Sequence, residues 1–151
     1  MQYYEDIEVG AVHELGSTSV TREEILEFAE KYDPQPFHLD DEAAEETIFG
    51  GLIASGWQTA GLVMRLLVDE HLNDYASMGA RGVDELRWRA PVHPGDTLTA
   101  ELEFLEKRPS ESNPRIGHVE SRISARNGDD EEVISWVGLA MYERRDHAED
   151  A

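Results

Sequence analysis

Residues 56–68 read Gly56-Trp57-Gln58-Thr59-Ala60-Gly61-Leu62-Val63-Met64-Arg65-Leu66-Leu67-Val68. Apolar side chains fall on nearly every side of a helix drawn through them, the pattern of a buried helix and not of a surface helix with one apolar stripe. Gln58 and Arg65 interrupt the run, which stays well short of the ~20 residues a bilayer requires, so no membrane span is expected. Gly56, Ala60 and Gly61 are small and let another element approach closely. A helix buried on all sides needs a sheet to wrap it.

The residues downstream supply that sheet. Leu98, Ala100, Leu102 and Phe104 alternate with Thr97, Thr99, Glu101 and Glu103. Val119, Ile123 and Ala125 alternate likewise with Glu120, Arg122, Ser124 and Arg126. Period two with one wet face marks an antiparallel sheet. Asn127-Gly128 is a hairpin signal, and Val133–Tyr142, apolar on both faces around Trp136, predicts an interior strand. A further strand is expected over Val83–Trp88, before a turn at Pro94-Gly95-Asp96.

Upstream, Val12–Val20 can form a short strand. Thr21 then opens a helix, with Glu24 completing a capping box and Ile25, Leu26, Phe28, Ala29 and Tyr32 as its apolar face. It must stop near Tyr32, because Asp33-Pro34-Gln35-Pro36 holds two prolines that push the preceding residues out of the α region. A short acidic helix should follow, capped by Asp40 or Asp41 with Ala43 and Ala44 inside. The expected class is α+β: a long antiparallel sheet curled around one buried helix. One domain should cover residues 1–145, with a polar C-terminal tail at 146–151.

Composition narrows the function. Among 151 residues, 13 are basic and 33 acidic, a net charge of −20. A phosphate backbone rewards a basic face, so nucleic acid is not an expected partner, and neither is anionic lipid. Cysteine is absent, which removes disulfides, thiolate metal sites and cysteine nucleophiles. Met1-Gln2-Tyr3-Tyr4-Glu5-Asp6 has neither the basic region nor the apolar stretch of a signal peptide, so a cytoplasmic location is expected. Lys31 and Lys107 are the lysines; the other eleven cations are arginines, and the acids are dispersed. That surface suits molar salt, where the Debye length falls to roughly 3 Å, and a halophilic host is expected. The alternative is an acidic protein whose charge only aids solubility.

The stretch Tyr32-Asp33-Pro34-Gln35-Pro36-Phe37-His38-Leu39-Asp40 places a carboxylate and an imidazole five residues apart in a loop stiffened by two prolines. Such a loop can hold both groups over one water for general acid–base work. Ser55-Gly56 stands where the buried helix begins, and a backbone N–H there faces developing negative charge from the positive end of the helix dipole. Plainer roles exist: Asp33 as a turn former, His38 as a structural histidine. Asp33, His38 and Asp40 are metal-ligand types, but no second histidine stands at ligand spacing, so no metal is expected. His13, His71, His93, His118 and His147 are scattered and read as surface or packing residues. There is no phosphate-cradling glycine loop and no nucleophile elbow.

Asp33-Pro34-Gln35-Pro36-Phe37-His38, a connecting segment and then Ser55-Gly56 opening an apolar helix resemble the MaoC-like dehydratases, which include the (R)-specific enoyl-CoA hydratases of the hotdog fold. Phe49-Gly50-Gly51-Leu52-Ile53-Ala54-Ser55-Gly56 resembles that family's approach to its central helix, and Pro91-Val92-His93-Pro94-Gly95-Asp96-Thr97-Leu98 the turn before its long strands. The resemblance implies that Asp33 and His38 activate one water, which adds to C3 of a trans-2-enoyl-CoA, while the Gly56 N–H holds the thioester carbonyl as it becomes enolate-like. It also implies substrate contacts from Gln35 and Ser55, no cofactor, and a homodimer paired edge to edge with acyl-CoA along the interface. The family usually has Asn at the place of Gln35 and often His at that of Ser55. Two other readings stay open: a thioesterase in which Asp33 directs water at the carbonyl, and an acyl-CoA-binding subunit without chemistry. Arg65, Arg87, Arg89 and Arg108 are candidates for a cationic entrance for CoA, or for surface ion pairs.

Overall fold

The computed structural model describes residues 1–145; the tail expected at 146–151 lies outside them. Five antiparallel strands form one sheet: β1 (Val12–Ser19), β2 (Ser77–Trp88), β3 (Thr97–Pro109), β4 (Ile116–Arg126) and β5 (Glu132–Glu143), in the order β1-β3-β4-β5-β2. Four α-helices precede β2: α1 (Arg22–Tyr32), α2 (Pro36–Leu39), α3 (Asp41–Glu45) and α4 (Gly56–Glu70). The fold is the hotdog arrangement of class α+β, with α4 packed on the sheet through β1 and β3.

Register explains the core. Leu102 pairs with Ile123, which pairs with Trp136, and Ala100 lies across from Ala125, which lies across from Ile134. All six point to the inner face, and all are buried. The local signals upstream act as expected. Thr21 Oγ1 accepts the Glu24 N–H at 3.1 Å while the Glu24 carboxylate accepts the Thr21 N–H at 3.0 Å. Asp40 caps α3 by accepting the Glu42 N–H at 3.1 Å.

Two expectations need correction. First, α4 is not buried on all sides. Gln58, Thr59, Val63 and Leu67 are buried, whereas Trp57, Gly61, Met64 and Arg65 face outward. One sheet covers one side of a helix, and the second apolar side of α4 is left without cover in a single chain. Second, β2 begins at Ser77, ahead of Val83. Ser77-Met78-Gly79-Ala80-Arg81-Gly82 has little of the β-branched, alternating character that marks a strand, and pairing with β5 extends it. The hairpin expected at Asn127-Gly128 forms over residues 127–131, with Asp130 (φ 63°) in the left-handed conformation.

β2 is an edge strand and is exposed almost throughout, Met78, Val83 and Trp88 included. Its register against β5 shifts between Asp84 and Arg87, where Glu85 sits at φ 52°. This is a bulge: one extra residue on β2, with the left-handed conformation at its turn.

Candidate active site

α1 stops at Tyr32 and Asp33 is its C-cap, its N–H donating to Ala29 O at 2.9 Å. Gln35 is extended, and Pro36 then opens α2 as its first residue. A proline suits that position, since its fixed φ is helical and its missing N–H would have no helical partner. The stretch expected as a stiff loop is therefore partly a single helical turn, and His38 rides on it, 4% exposed.

Two contacts fix the His38 ring. Nδ1 lies 2.7 Å from Ile53 O; a carbonyl only accepts, so Nδ1 carries the hydrogen. Nε2, 3.2 Å from Asp33 Oδ2, is the nitrogen left to gain and lose a proton. Asp33 is held from two further directions, by the Gln35 amide, whose Nε2 donates to Oδ1 at 2.7 Å, and by the Ser55 hydroxyl. Burial raises the Asp33 pKa, but these two donors and the charge of His38 outweigh it, and the net shift is downward. Asp33 is an ionised carboxylate with an aimed oxygen.

Ser55 has a second task. Its Oγ accepts the Trp57 N–H at 3.3 Å as the cap of α4, and its carbonyl accepts Gln58 and Thr59 N–H, each at 3.0 Å. The Gly56 N–H has no hydrogen-bond partner among the described residues. It is a donor at the positive end of a fifteen-residue helix.

These groups share one cleft of about 460 Å³, in which Asp33, Gln35, His38 and Gly56 belong to the polar part together with Thr59 and Arg89. Phe37, Phe49, Trp57 and Trp88 form much of its apolar wall. Ser55 is 1% exposed and serves from behind the carboxylate rather than from the cleft wall. Sequence reasoning missed the two tryptophans, which carry no motif. The signal that bears on Trp88 is Gly56 itself: a β-carbon there would come within 2.5 Å of the Trp88 indole. The other described histidines stay apart from the carboxylate, and His147 lies outside the described residues. His71 packs in the core against Tyr142, and His93 Nε2 lies 3.3 Å from Phe49 O, bracing the cleft wall from outside. No group of three His, Asp or Glu among the described residues is placed to hold a metal ion, and no helix there is long and apolar enough to cross a membrane.

Comparison with known proteins agrees with this architecture. Residues 8–125 match the model of the MaoC like domain. A 3-hydroxybutyryl-CoA dehydratase from Methylorubrum extorquens is 34% identical over 116 residues, 76% of this chain and 71% of that protein. An (R)-specific enoyl-CoA hydratase from Rhodospirillum rubrum is 33% identical over 102 residues, 66% of this chain and 67% of its own length. The crystal structure of a MaoC-like dehydratase, also from Rhodospirillum rubrum, superposes with a TM-score of 0.89 at 39% identity, covering 96% of this chain and 99% of that one. A match over most of the chain, the same fold and relatives named as hydratases and dehydratases lead to one conclusion: this chain belongs to the MaoC-like domain family.

Proposed function

We propose that the protein is a hydro-lyase that adds water reversibly across the 2,3 double bond of a trans-2-enoyl-CoA, giving an (R)-3-hydroxyacyl-CoA. The observation that carries this reading is the contact of 3.2 Å between His38 Nε2 and Asp33 Oδ2 in the cleft that Gly56 also lines. A water held by both groups gives one proton to the Asp33 carboxylate as its oxygen bonds to C3. The π electrons move toward the thioester oxygen, and the Gly56 N–H holds the resulting enolate. His38, which in this reading enters the cycle with a proton on each ring nitrogen, protonates C2 from Nε2, and Asp33 then returns the water's proton to Nε2. The Nδ1–H bond to Ile53 O keeps the ring aimed throughout, and Gln35 and Ser55 keep Asp33 ionised and fixed.

The working unit in this reading is a cytoplasmic homodimer. The unpaired edge of β2 and the uncovered side of α4, with Trp57 and Met64, are what a second copy would bury. The acyl-CoA would then lie along the seam between them.

The test is loss of enoyl absorbance with crotonyl-CoA, beside Asp33→Asn and His38→Ala. Each variant should lower turnover by ~100-fold or more while still folding, the scale of general acid–base groups. Near wild-type rates in both would overturn the chemistry. Release of free CoA thiol from a saturated acyl-CoA would favour the thioesterase. Tight acyl-CoA binding with no turnover of any enoyl thioester would favour the binding subunit.

A further inference from the structure

Cations are scarce in this chain, and most are tied to a neighbouring acid. Arg22 pairs with Asp41, Arg65 with Asp69 and Arg115 with Glu143. Beside the cleft, three of them gather. Arg87, Arg89 and Arg122 line a single hollow of about 130 Å³ together with Glu85 and Ser135. It holds several water-sized groups at about 30 Å³ each.

The arginines are set by the sheet. Arg87 pairs with Ser135 across β2 and β5, and Arg122 lies across from Val137 one step along. Glu132 spans two of the guanidiniums, with Oε2 at 2.8 Å from Arg89 Nε and Oε1 at 2.7 Å from Arg122 Nη2. Arg89 Nε also lies 3.2 Å from Ser135 Oγ. One carboxylate thus holds two cations in position and neutralises one of them. Arg87 donates only to the carbonyl of Leu86, at 3.0 Å, and among the described residues has no carboxylate within ion-pair distance. Three arginines against Glu85 and Glu132 leave a positive island on a strongly negative molecule.

The island borders the cleft, because Arg89 lines both. The bulge at Glu85 sets the phase that makes this possible. Past it, Trp88 pairs with Ile134 on the inner face and reaches Gly56, while Arg87 pairs with Ser135 on the outer face. Arg65 and Arg108 do not contribute. Arg65 is paired on α4, and Arg108 lines a separate hollow with Glu106 and Glu120.

We infer that Arg87, Arg89 and Arg122 form the seat for a phosphate group of the thioester's carrier, reached from the cleft past Trp88. Guanidinium is suited to this, since its planar fork pairs with two phosphate oxygens at once. The inference rests on the enoyl-thioester reading for the identity of the ligand. The phosphate chemistry is shared by CoA and by the phosphopantetheine arm of a carrier protein.

The experiment compares crotonyl thioesters of pantetheine, phosphopantetheine and CoA on the full chain and on Arg87→Gln and Arg122→Gln. The preference for the phosphorylated thioesters over the pantetheine one, as a ratio of kcat/KM, should fall about tenfold in each variant, the scale of one charge-assisted hydrogen bond. A fall already present with phosphopantetheine assigns the seat to the arm's phosphate, and one confined to CoA assigns it to the nucleotide. An unchanged ratio overturns the seat. Calorimetric binding of unacylated CoA supplies a readout without turnover. Should no thioester be hydrated while CoA binding weakens about tenfold in Arg87→Gln, the seat stands and the hydratase reading falls. Should pantetheine thioester be hydrated while CoA binding is the same in both variants, the seat falls and the hydratase reading stands.

Discussion

Trp88 lies against Gly56 so closely that its indole occupies the space of a side chain at that position. A β-carbon on residue 56 would stand 2.5 Å from Cε2 and Nε1 of the ring, and Nε1–H donates to Gly56 O at 2.8 Å. Trp57 meets the same ring edge to face, with centroids 5.1 Å apart. The first turn of α4 is thus pinned from outside by β2. Gly56→Ala should displace Trp88 and cost about 1–3 kcal/mol, the range for inserting a methyl into occupied space. Chemical unfolding and tryptophan fluorescence check this; unchanged stability with an unchanged spectrum would contradict the contact.

Gln35 and Ser55 hold Asp33 below its ordinary pKa against the opposing effect of burial. A depressed carboxylate pKa adds stability that is present above the unfolded value and lost as pH falls through the folded one. Gln35→Leu should raise the Asp33 pKa, moving the acid limb of the pH–rate profile to higher pH and removing part of that stability near neutrality. Ser55→Ala should shift the limb in the same direction. A limb that stays in place in both variants would mean that Asp33 is not the group the profile reports.

His71 is buried at the end of α4, with Nε2 3.1 Å from the Tyr142 hydroxyl. Burial first, then the charge of nearby His13, with Asp74 opposing, push its pKa down to about 4. Tyr75 and Phe104, the other rings against it, offer no charge. The unfolded chain therefore binds more protons than the folded one between pH 6.5 and about 4. The stabilisation is complete above that window and declines as pH falls through it, by up to about 3 kcal/mol at about 1.36 kcal/mol per unit. Unfolding curves at either end should show the decline, and His71→Gln should flatten it.

Met64, 42% exposed on the uncovered side of α4, should be buried between two copies in solution. Met64→Glu then places two like charges in an apolar contact and should shift the protein toward the 17.0 kDa monomer in sedimentation. Wild-type protein that sediments at that mass across all concentrations would refute the pairing.

The dispersed acids give a prediction about salt. Raising KCl from 0.1 M to molar levels shortens the Debye length from roughly 10 Å to 3 Å, which relieves repulsion among charges that sum to −20. The melting temperature should rise across that range. A flat response would remove the case for a halophilic protein.

What could be read in the sequence followed from local rules. The Thr21–Glu24 box and the proline pair set the limits of α1, and the alternation in β3 and β4 fixed which residues face the helix. Asp33, His38 and Gly56 were legible because three kinds of chemistry fell within one short stretch. Trp88 was not, because its value comes from a partner thirty-two residues earlier in sequence, on another element. The pairing of Glu132 with Arg89 and Arg122 was hidden for the same reason: it joins β5, β4 and the residue just past β2. The exposed side of α4 misled, since an apolar pattern reports that a face is to be covered and not which chain covers it.

The left-handed residue at Glu85 makes the length of β2 matter more than its composition. Removing or adding one residue between Asp84 and Arg87 would turn the end of the strand over, sending Trp88 away from Gly56 and Arg87 beneath the sheet. Arg87 and Trp88 apart, side chains along β2 have room to vary, for almost all of them are exposed. The spacing does not, and insertions or deletions in this strand should be far less tolerated than substitutions.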